Sequence, residues 1–387
     1  MKKIPLSIPQ LSGNEWKYVK ECLDTSWVSS AGSFVVQFEK EIAKYTGSKY
    51  AISCVNGTSA LQVSLKLADV LPGDEVIVPT LTFIAPINAV SYNAAKPIFM
   101  DSDDYYNIDV DKTIDFIKNE TKFKNGFTIN KSTQKRISAL IPVHVWGNGV
   151  WMDELFSLCK DRNINIVEDA SESLGTIYSE GNFSGKHSGT VGLLGCLSFN
   201  GNKIITTGGG GMILTDNKNV NQMARYLTTQ AKDDPVQYIH NQIGYNFRLT
   251  NIQAALGIAQ LEQLPKFLNN KDRIFKRYVD AFDDIKGLKL AKGPKYAINN
   301  HWMNLLYIYN NDENEIKREK AMLKFKKNGI ETRPVWQLNH LQNPYKNCQN
   351  YKIEKAYNLH RNSLCLPSSS SLSDLDIDKI INICNKI

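Results

Sequence analysis

The sequence predicts an α/β protein, with a large domain built on a mostly parallel central sheet and a smaller C-terminal α+β domain. Three observations carry this expectation. Between residues 50 and 180, short runs rich in Val and Ile alternate with stretches of helical spacing, the pattern of a sheet flanked by helices. From about residue 194 the texture changes to short strands around polar loops, and beyond about 260 helices and strands alternate on a smaller scale. Finally, 387 residues at 42% hydrophobic and 22% charged suffice for a substantial core in two packed units, with no repeat or low-complexity linker between them. Residues 1–12 are expected to form an N-terminal arm, 13–250 the large domain and 251–387 the small one.

Residues 14–24 (NEWKYVKECLD) and 34–46 (FVVQFEKEIAKYT) place apolar side chains at helical spacing, and YAISCV then reads as a short strand. In NGTSALQVSLKLADV, Ala60, Leu61, Ser64, Leu65 and Ala68 line one helical face, with Thr58 or Ser59 at the helix start. Strand EVIVP, helix TFIAPINAVSYN and strand PIFMD follow. The strand SALIPVHV, a helix from Asp153 to Lys160 and the strand INIVEDA repeat the alternation. GCLSFN and GGMILTD read as strands around a lysine-bearing loop, and the polar stretch 228–242 leads into GYNFRLTNIQAALGIAQLEQL, the start of a long helix. A helix over 266–285, a strand at LLYIY and a helix over 314–328 complete the expectation.

The charge of +7 comes from lysines spread along the chain, with a modest excess at KREKAMLKFKK that reads as one solvated helix face. No DNA- or RNA-binding motif accompanies it, so no nucleic-acid partner is expected, whereas an acidic phosphorylated small molecule suits the charge. No apolar run approaches the roughly 20 residues of a membrane helix, and MKKIPLSIPQ has no apolar signal core, so a cytoplasmic protein without membrane association is expected. The seven cysteines are scattered, odd in number and never spaced CxxC, which argues against a disulfide framework or a zinc site; no metal is expected.

The chemistry gathers around two residues. Asp169 ends the apolar run INIV in the segment EDASESLG, and Lys203 follows it downstream between LSFNGN and ITTGGGGM. A strand-end carboxylate and a lysine in a Ser-, Thr- and Gly-rich loop are what pyridoxal 5′-phosphate asks of a protein. The amine forms a Schiff base with the cofactor, and the carboxylate keeps the pyridine nitrogen protonated so that the ring can absorb electrons. NGTSAL joins a strand to a helix, so Gly57, Thr58 and Ser59 can offer N–H groups and hydroxyls to a phosphate at the helix N-terminus. A plain N-cap has the same sequence. Ser198 can add a hydroxyl from the lysine side, and Phe83 can lay its ring on the cofactor face, although an aromatic at a strand end is by default core. GGGG at 208–211 lacks a following GK[ST] and reads as backbone flexibility beside a crowded cofactor.

Read in order, this set closely resembles the sugar aminotransferases of the DegT/DnrJ/EryC1/StrS family, members of fold type I of the pyridoxal phosphate enzymes. The resemblance runs nearly the whole length, from IPLSIPQLSGNEW and SSAGSFVVQFEKEIAKYTGSKYAISCVNGTSALQ to GYNFRLTNIQAALGIAQLEQL and ETRPVW. Within the family the chain looks most like those that aminate C4 of a UDP-linked 4-keto-6-deoxy-N-acetylhexosamine, on routes to legionaminic acid and bacillosamine-type sugars. A GDP-perosamine-type or dTDP-sugar 3- or 4-aminotransferase is the alternative.

The resemblance implies that Lys203 is the cofactor's lysine and that Asp169 pairs with its ring nitrogen. It gives the phosphate to Thr58, Ser59 and Ser198, and the ring face to Phe83. Asn246, in GYNFR, would cross a homodimer interface to the partner's phosphate, so that the active sites are shared. L-glutamate would donate the amine, with pyridoxamine phosphate as the intermediate before a nucleotide sugar accepts it. Lys186, Arg248 and Arg333 are candidate cations at the pocket mouth, and Trp27, His301 with Trp302, and His340 candidate groove residues; each is by default surface or packing. His144 can approach the cofactor from its strand end or serve as a buried structural histidine.

Two departures stand out. Glu172 occupies a position where many family members carry Gln or His near the ring oxygen, and Gly209 replaces the acid of the usual GEGG. A related dehydratase would carry His in place of Lys203, and a regulatory member would need a DNA-binding segment that this chain lacks. The whole set therefore favours an enzyme.

Overall fold

The computed structural model describes residues 3–283, 285–309 and 317–384. The chain opens with α1 (Glu15–Asp24), α2 (Ser33–Thr46), β1 (Tyr50–Cys54), α3 (Gly57–Leu67), β2 (Glu75–Pro79), α4 (Ala85–Tyr92) and β3 (Lys96–Met100). It continues through α5 (Val110–Asn119), the hairpin β4 (Thr121–Lys124) and β5 (Phe127–Asn130), then β6 (Ile137–Leu140), α6 (Asp153–Asp161), β7 (Asn165–Asp169) and β8 (Ile177–Tyr178). Next come β9 (Leu194–Ser198), β10 (Gly211–Thr215), α7 (Lys218–Thr228) and the 32-residue α8 (Asn251–Phe282). The remainder is β11 (Leu288–Leu290), β12 (Ala297–Ile298), β13 (Asn304–Ile308), α9 (Lys317–Lys327), β14 (Arg333–Pro334), β15 (Asn350–Tyr351), α10 (Lys355–Asn362), β16 (Ser363–Leu366) and α11 (Asp374–Cys384).

The central sheet has eight strands in the order β1-β10-β9-β7-β6-β2-β3-β15. From β9 to β15 all neighbours are parallel, while β10 runs antiparallel to both β9 and β1. Both faces are covered, and β2 shows how: Val76 and Val78 pack in the cluster that includes α3 and α4, whereas Ile77 enters the opposite cluster with Ile98, Phe116 and Leu155. A strand buried on both sides reads as a continuous apolar run, which is why EVIVP was legible. The parallel arrangement brings the C-terminal ends of β7 and β9, and with them Asp169 and Ser198, to one edge of the sheet beside the N-terminus of α3.

Several expectations change. The strand expected over SALIPVHV stops at Leu140. Pro142 has no N–H for a ladder, and the chain then turns through Trp146, whose φ is +53°. The helix expected over 266–285 is not separate, because α8 continues through Pro265 from its capping box at Thr250 and Gln253. The helix expected over 314–328 spans Lys317–Lys327, with residues 314–316 lying outside the described residues. The β4–β5 hairpin was not anticipated.

α8 begins at Asn251, the residue at which the smaller domain was expected to start, and its packing joins both sides. Ala254, Ile258 and Leu264 of α8 join the large core, and Ile274, Tyr278 and Phe282 join the core of the small sheet β11-β13-β16-β14. The late strand β15 adds to the large sheet beside β3. The N-terminal arm is also pinned: Ile4 bridges Ile330, the Ile8 N–H donates to Ser369 Oγ at 3.0 Å, and Leu6 accepts from the Ser368 N–H at 2.7 Å. No helix among the described residues is long and apolar enough to cross a membrane.

Candidate active site

A cavity of about 350 Å³ opens where β7, β9 and α3 meet, lined by Gly57, Thr58, Phe83, Asp169, Glu172, Ser198 and Lys203 together with Asn200, Asn202, Gly209, Trp302 and Trp336. Six elements or loops far apart in the sequence thus converge on one space. Each side chain arrives there for a local reason.

At the α3 end of the cavity, the Asn56 side chain caps the helix by accepting the Ser59 N–H at 2.8 Å. Ser59 is buried and its N–H is consumed by this cap, so that N–H is not available to an anion as expected. The Gly57 and Thr58 N–H groups, in the first turn, have no acceptor within the helix and carry its positive dipole end. Glycine at 57 has a steric cause, since a Cβ there would lie 3.0 Å from Ser198 Cβ and 3.3 Å from Ser171 Oγ. The GGGG run is tight packing as much as freedom: a Cβ at Gly211 would lie 2.5 Å from the Asn56 carbonyl.

Asp169 ends β7 and is 4% exposed. Its Oδ1 accepts the Ser171 N–H at 3.0 Å, and burial pushes its carboxyl above the usual range against the opposing pull of Ser171, Lys203 and His144. Lys203 follows β9 in a turn closed by its own N–H to the Asn200 carbonyl at 3.0 Å. Its Nζ lies 3.3 Å from Glu172 Oε1 and 4.1 Å from the centre of the Trp302 ring. Glu172 is held from the other side by the Trp146 N–H at 2.7 Å; burial pushes its carboxyl up, with Lys203 and that N–H opposing.

His144 does not reach the cavity. It is fully buried, with Nε2 2.9 Å from Glu168 Oε2 and Nδ1 accepting the Val150 N–H at 3.1 Å. Glu168 also accepts from the N–H groups of Gly189, Val191 and Gly192. Burial alone would raise its carboxyl, but His144 and these donors outweigh burial and hold it below the usual value.

Other expected residues lie elsewhere. His340 is buried between Thr80 Oγ1 at 2.6 Å and the Tyr357 hydroxyl at 2.8 Å, which leaves no ring nitrogen for a ligand. His301 stacks on Phe275 at 3.9 Å between centroids and lines a different hollow with Asp272 and Lys292. Trp27 is exposed, tied by its carbonyl to Asn251 Nδ2, and Lys186 and Arg333 are exposed and not among the residues that line the cavity. Asn246 and Arg248 line another surface hollow with Glu39 and Arg225. Phe83 lies in the loop before α4 and not at a strand end, and it is 53% exposed at the cavity mouth.

The residues that sequence reasoning passed over are Trp336 and the asparagines of the lysine turn. Trp336 stacks on Trp146 at 4.6 Å and 12° and lines the cavity. Its only sequence signal was an aromatic two residues after Arg-Pro in ETRPVW.

A fit to pyridoxal phosphate can be judged on these groups. A buried carboxylate, Asp169, with no cation in direct ion pairing among the described residues, an amine that lines the cavity and helix-start N–H groups beside a serine are the donors and acceptors that a cationic ring nitrogen, an aldehyde and a phosphate need. The fit is good.

Comparison with known proteins bears on the same point. The model of a family described as the DegT/DnrJ/EryC1/StrS aminotransferase family matches residues 9–385. The chain is similar to the GDP-perosamine synthase of Caulobacter vibrioides, 36% identical over 100% of this chain and 99% of that protein. It is likewise similar to the GDP-perosamine synthase of Escherichia coli O157:H7, 37% identical over 100% of this chain and 98% of the other. The crystal structure of a DegT DnrJ EryC1 StrS aminotransferase from Brucella abortus superposes with a TM-score of 0.86 at 27% identity, covering 96% of this chain and 95% of that one.

Proposed function

The chain belongs to the DegT/DnrJ/EryC1/StrS aminotransferase family and is a pyridoxal phosphate-dependent nucleotide-sugar aminotransferase; from this premise we propose that it carries the amino group of L-glutamate to C4 of a GDP-linked 4-keto-6-deoxyhexose, giving a GDP-perosamine-type product for surface polysaccharide. The two relatives named GDP-perosamine synthase support this acceptor over the UDP-linked N-acetylhexosamine that the sequence suggested. The observation that carries the chemistry is the convergence of Lys203, Glu172 and Asp169 on one cavity with the start of α3.

In this reading the Gly57 and Thr58 N–H groups and the Thr58 and Ser198 hydroxyls would hold the cofactor phosphate, Phe83 would cover the ring and Asp169 would hold the ring N–H. When bound, the cofactor supplies an electron sink for charge developing at a substrate carbon. The Lys203 amine would take a proton from the donor α-carbon and, in the second half of the reaction, deliver one to the acceptor carbon, acting as base and then as acid. Glu172 keeps that amine oriented through its 3.3 Å contact, itself fixed by the Trp146 N–H. Trp336 and Trp302 give the sugar apolar walls.

The site is completed by a second copy. Asn246 and Arg248 face a hollow of their own, and the adjoining segment leaves Val236 83%, Tyr238 72% and Ile243 84% exposed, apolar surface suited to a homodimer that lends these residues to the partner's cavity.

The test is the visible spectrum of the purified holoenzyme. The cofactor band should be lost with L-glutamate and return with GDP-4-keto-6-deoxymannose, with an aminated sugar detected by mass spectrometry. Return only with UDP-4-keto-6-deoxy-N-acetylglucosamine would overturn the GDP assignment. A Lys203→Ala protein that turned over at the wild-type rate would overturn the mechanism.

A further inference from the structure

Lys271 is a buried lysine that the reaction does not use. It lies on α8, 3% exposed, and its Nζ donates to the backbone carbonyl of Trp302 at 2.9 Å and to that of Ser368. No carboxylate among the described residues pairs with it, and burial draws its amine down to about 7. Taking an ammonium out of water is costly, and a methionine would fill the same space without that cost. What the donors of Lys271 hold in place is therefore informative.

They hold the segment that walls the reacting amine. The Trp302 indole lies with its ring centre 4.1 Å from Lys203 Nζ, and its Nε1–H donates to the carbonyl of Asn202, the residue before Lys203, at 2.7 Å. One residue earlier, His301 sits at φ +49° and stacks on Phe275, four positions after Lys271 and so on the same face of α8. Asn300 ties the same segment to the Glu172 loop, its Nδ2 donating to the carbonyls of Glu172 at 2.8 Å and Leu174 at 3.0 Å. The 300–302 segment thus touches both the Lys203 turn and the Glu172 turn, and α8 grips it through Lys271 and Phe275.

We propose that Lys271 is a positioning residue for the reacting amine: it fixes Trp302 against α8 so that the indole shields one side of Lys203 Nζ and leaves the amine facing Glu172 and the cavity. This deepens the reading of Lys203 given above and rests on it for its catalytic meaning, but the geometry can be tested without the cofactor.

The experiment is acylation of the apoprotein by acetic anhydride, with modification at Lys203 followed by mass spectrometry and referenced to exposed Lys266 in the same molecules. Shielding predicts that Lys271→Met and Trp302→Ala each speed Lys203 acylation at least about threefold, and that the double variant is no faster than the faster single one, as expected for groups acting through one another. Additive effects, or a wild-type rate in Lys271→Met, would overturn the proposal, because a merely structural lysine has no reason to share its effect with Trp302. In the holoenzyme, Lys271→Met should lower kcat with the KM for glutamate unchanged. Should Lys271→Met fail to fold, Lys271→Gln replaces it, and a wild-type acylation rate in Trp302→Ala alone still refutes the shielding. Failure of the Lys203 assignment itself shows separately, as a Lys203→Ala protein that keeps the visible band.

Discussion

Replacing Glu168 with glutamine is the sharpest test of how the site is supported from beneath. Glu168 is fully buried at the end of β7, next to Asp169, and four donors converge on it. Oε1 accepts the Val191 N–H at 2.7 Å and the Gly192 N–H at 2.6 Å, while Oε2 accepts the Gly189 N–H at 2.8 Å and faces His144 Nε2 at 2.9 Å. Because His144 Nδ1 already accepts the Val150 N–H, the ring proton belongs on Nε2, so His144 is a donor too. A glutamine turned either way sets its NH2 against two of the four donors and leaves them unpaired in the interior. At about 1–3 kcal/mol for each unsatisfied buried group, the loss is roughly 2–6 kcal/mol, a large fraction of the 5–15 kcal/mol typical of a folded domain. The His144 N–H also donates to the Asp169 carbonyl at 3.0 Å, so cofactor affinity should weaken with stability. Equilibrium urea unfolding of wild type and Glu168→Gln would measure this. A difference below about 0.5 kcal/mol would refute the donor count, the ordinary scatter of a substitution with no such feature being of that size.

Three further outcomes are expected. Gly211→Ala forces a Cβ to 2.5 Å from backbone atoms of Asn56, which cannot swing aside, and should cost about 1–3 kcal/mol in thermal stability while weakening cofactor binding in a fluorescence titration. Trp336→Ala removes the stack on Trp146 and one cavity wall; the KM for the nucleotide sugar should rise about tenfold, a loss of about 1.4 kcal/mol, with the KM for glutamate little changed in steady-state assays, and an equal rise in both would contradict the wall assignment. His187 is buried, its Nε2 accepting the Gly175 N–H at 2.7 Å, and burial pulls its pKa from 6.5 down to about 4. Between these values the unfolded chain binds the proton and the folded one does not, so stability falls as pH drops from 6.5 to 4, by about 3 kcal/mol from this group. In a His187→Gln variant the slope of unfolding free energy against pH over that window should flatten; an unchanged slope would place the titration elsewhere.

Much of the fold was legible because its central strands are buried on both faces. EVIVP, PIFMD and INIVED are continuous apolar runs between helices of clear amphipathic spacing, and such runs are read from composition alone. The pairing partners were not legible. That β10 inserts antiparallel between β1 and β9, and that β15 returns from residue 350 to extend the sheet at β3, depends on contacts between distant segments that no local pattern records. The long helix misled for a related reason: Pro265 punctuates the sequence, but packing on two cores at once keeps α8 continuous through it.

The sequence by itself determined the chemical types at the site: an acid at a strand end, a lysine in a small-residue loop, and a helix start able to meet a phosphate. These follow from local backbone geometry, which fixes what a strand end or a first helical turn can offer. Only the tertiary structure decided which neighbours share the space. It set His144 to Glu168, His340 to Thr80 and Tyr357, and His301 to Phe275, and it brought Trp336 and Trp302 to the cavity wall. A polar or aromatic side chain satisfies whichever partner the fold places within a few ångströms, and the choice between core and cavity is therefore made by how the elements pack, whether they are 17 residues apart, as His340 and Tyr357 are, or 260, as His340 and Thr80 are.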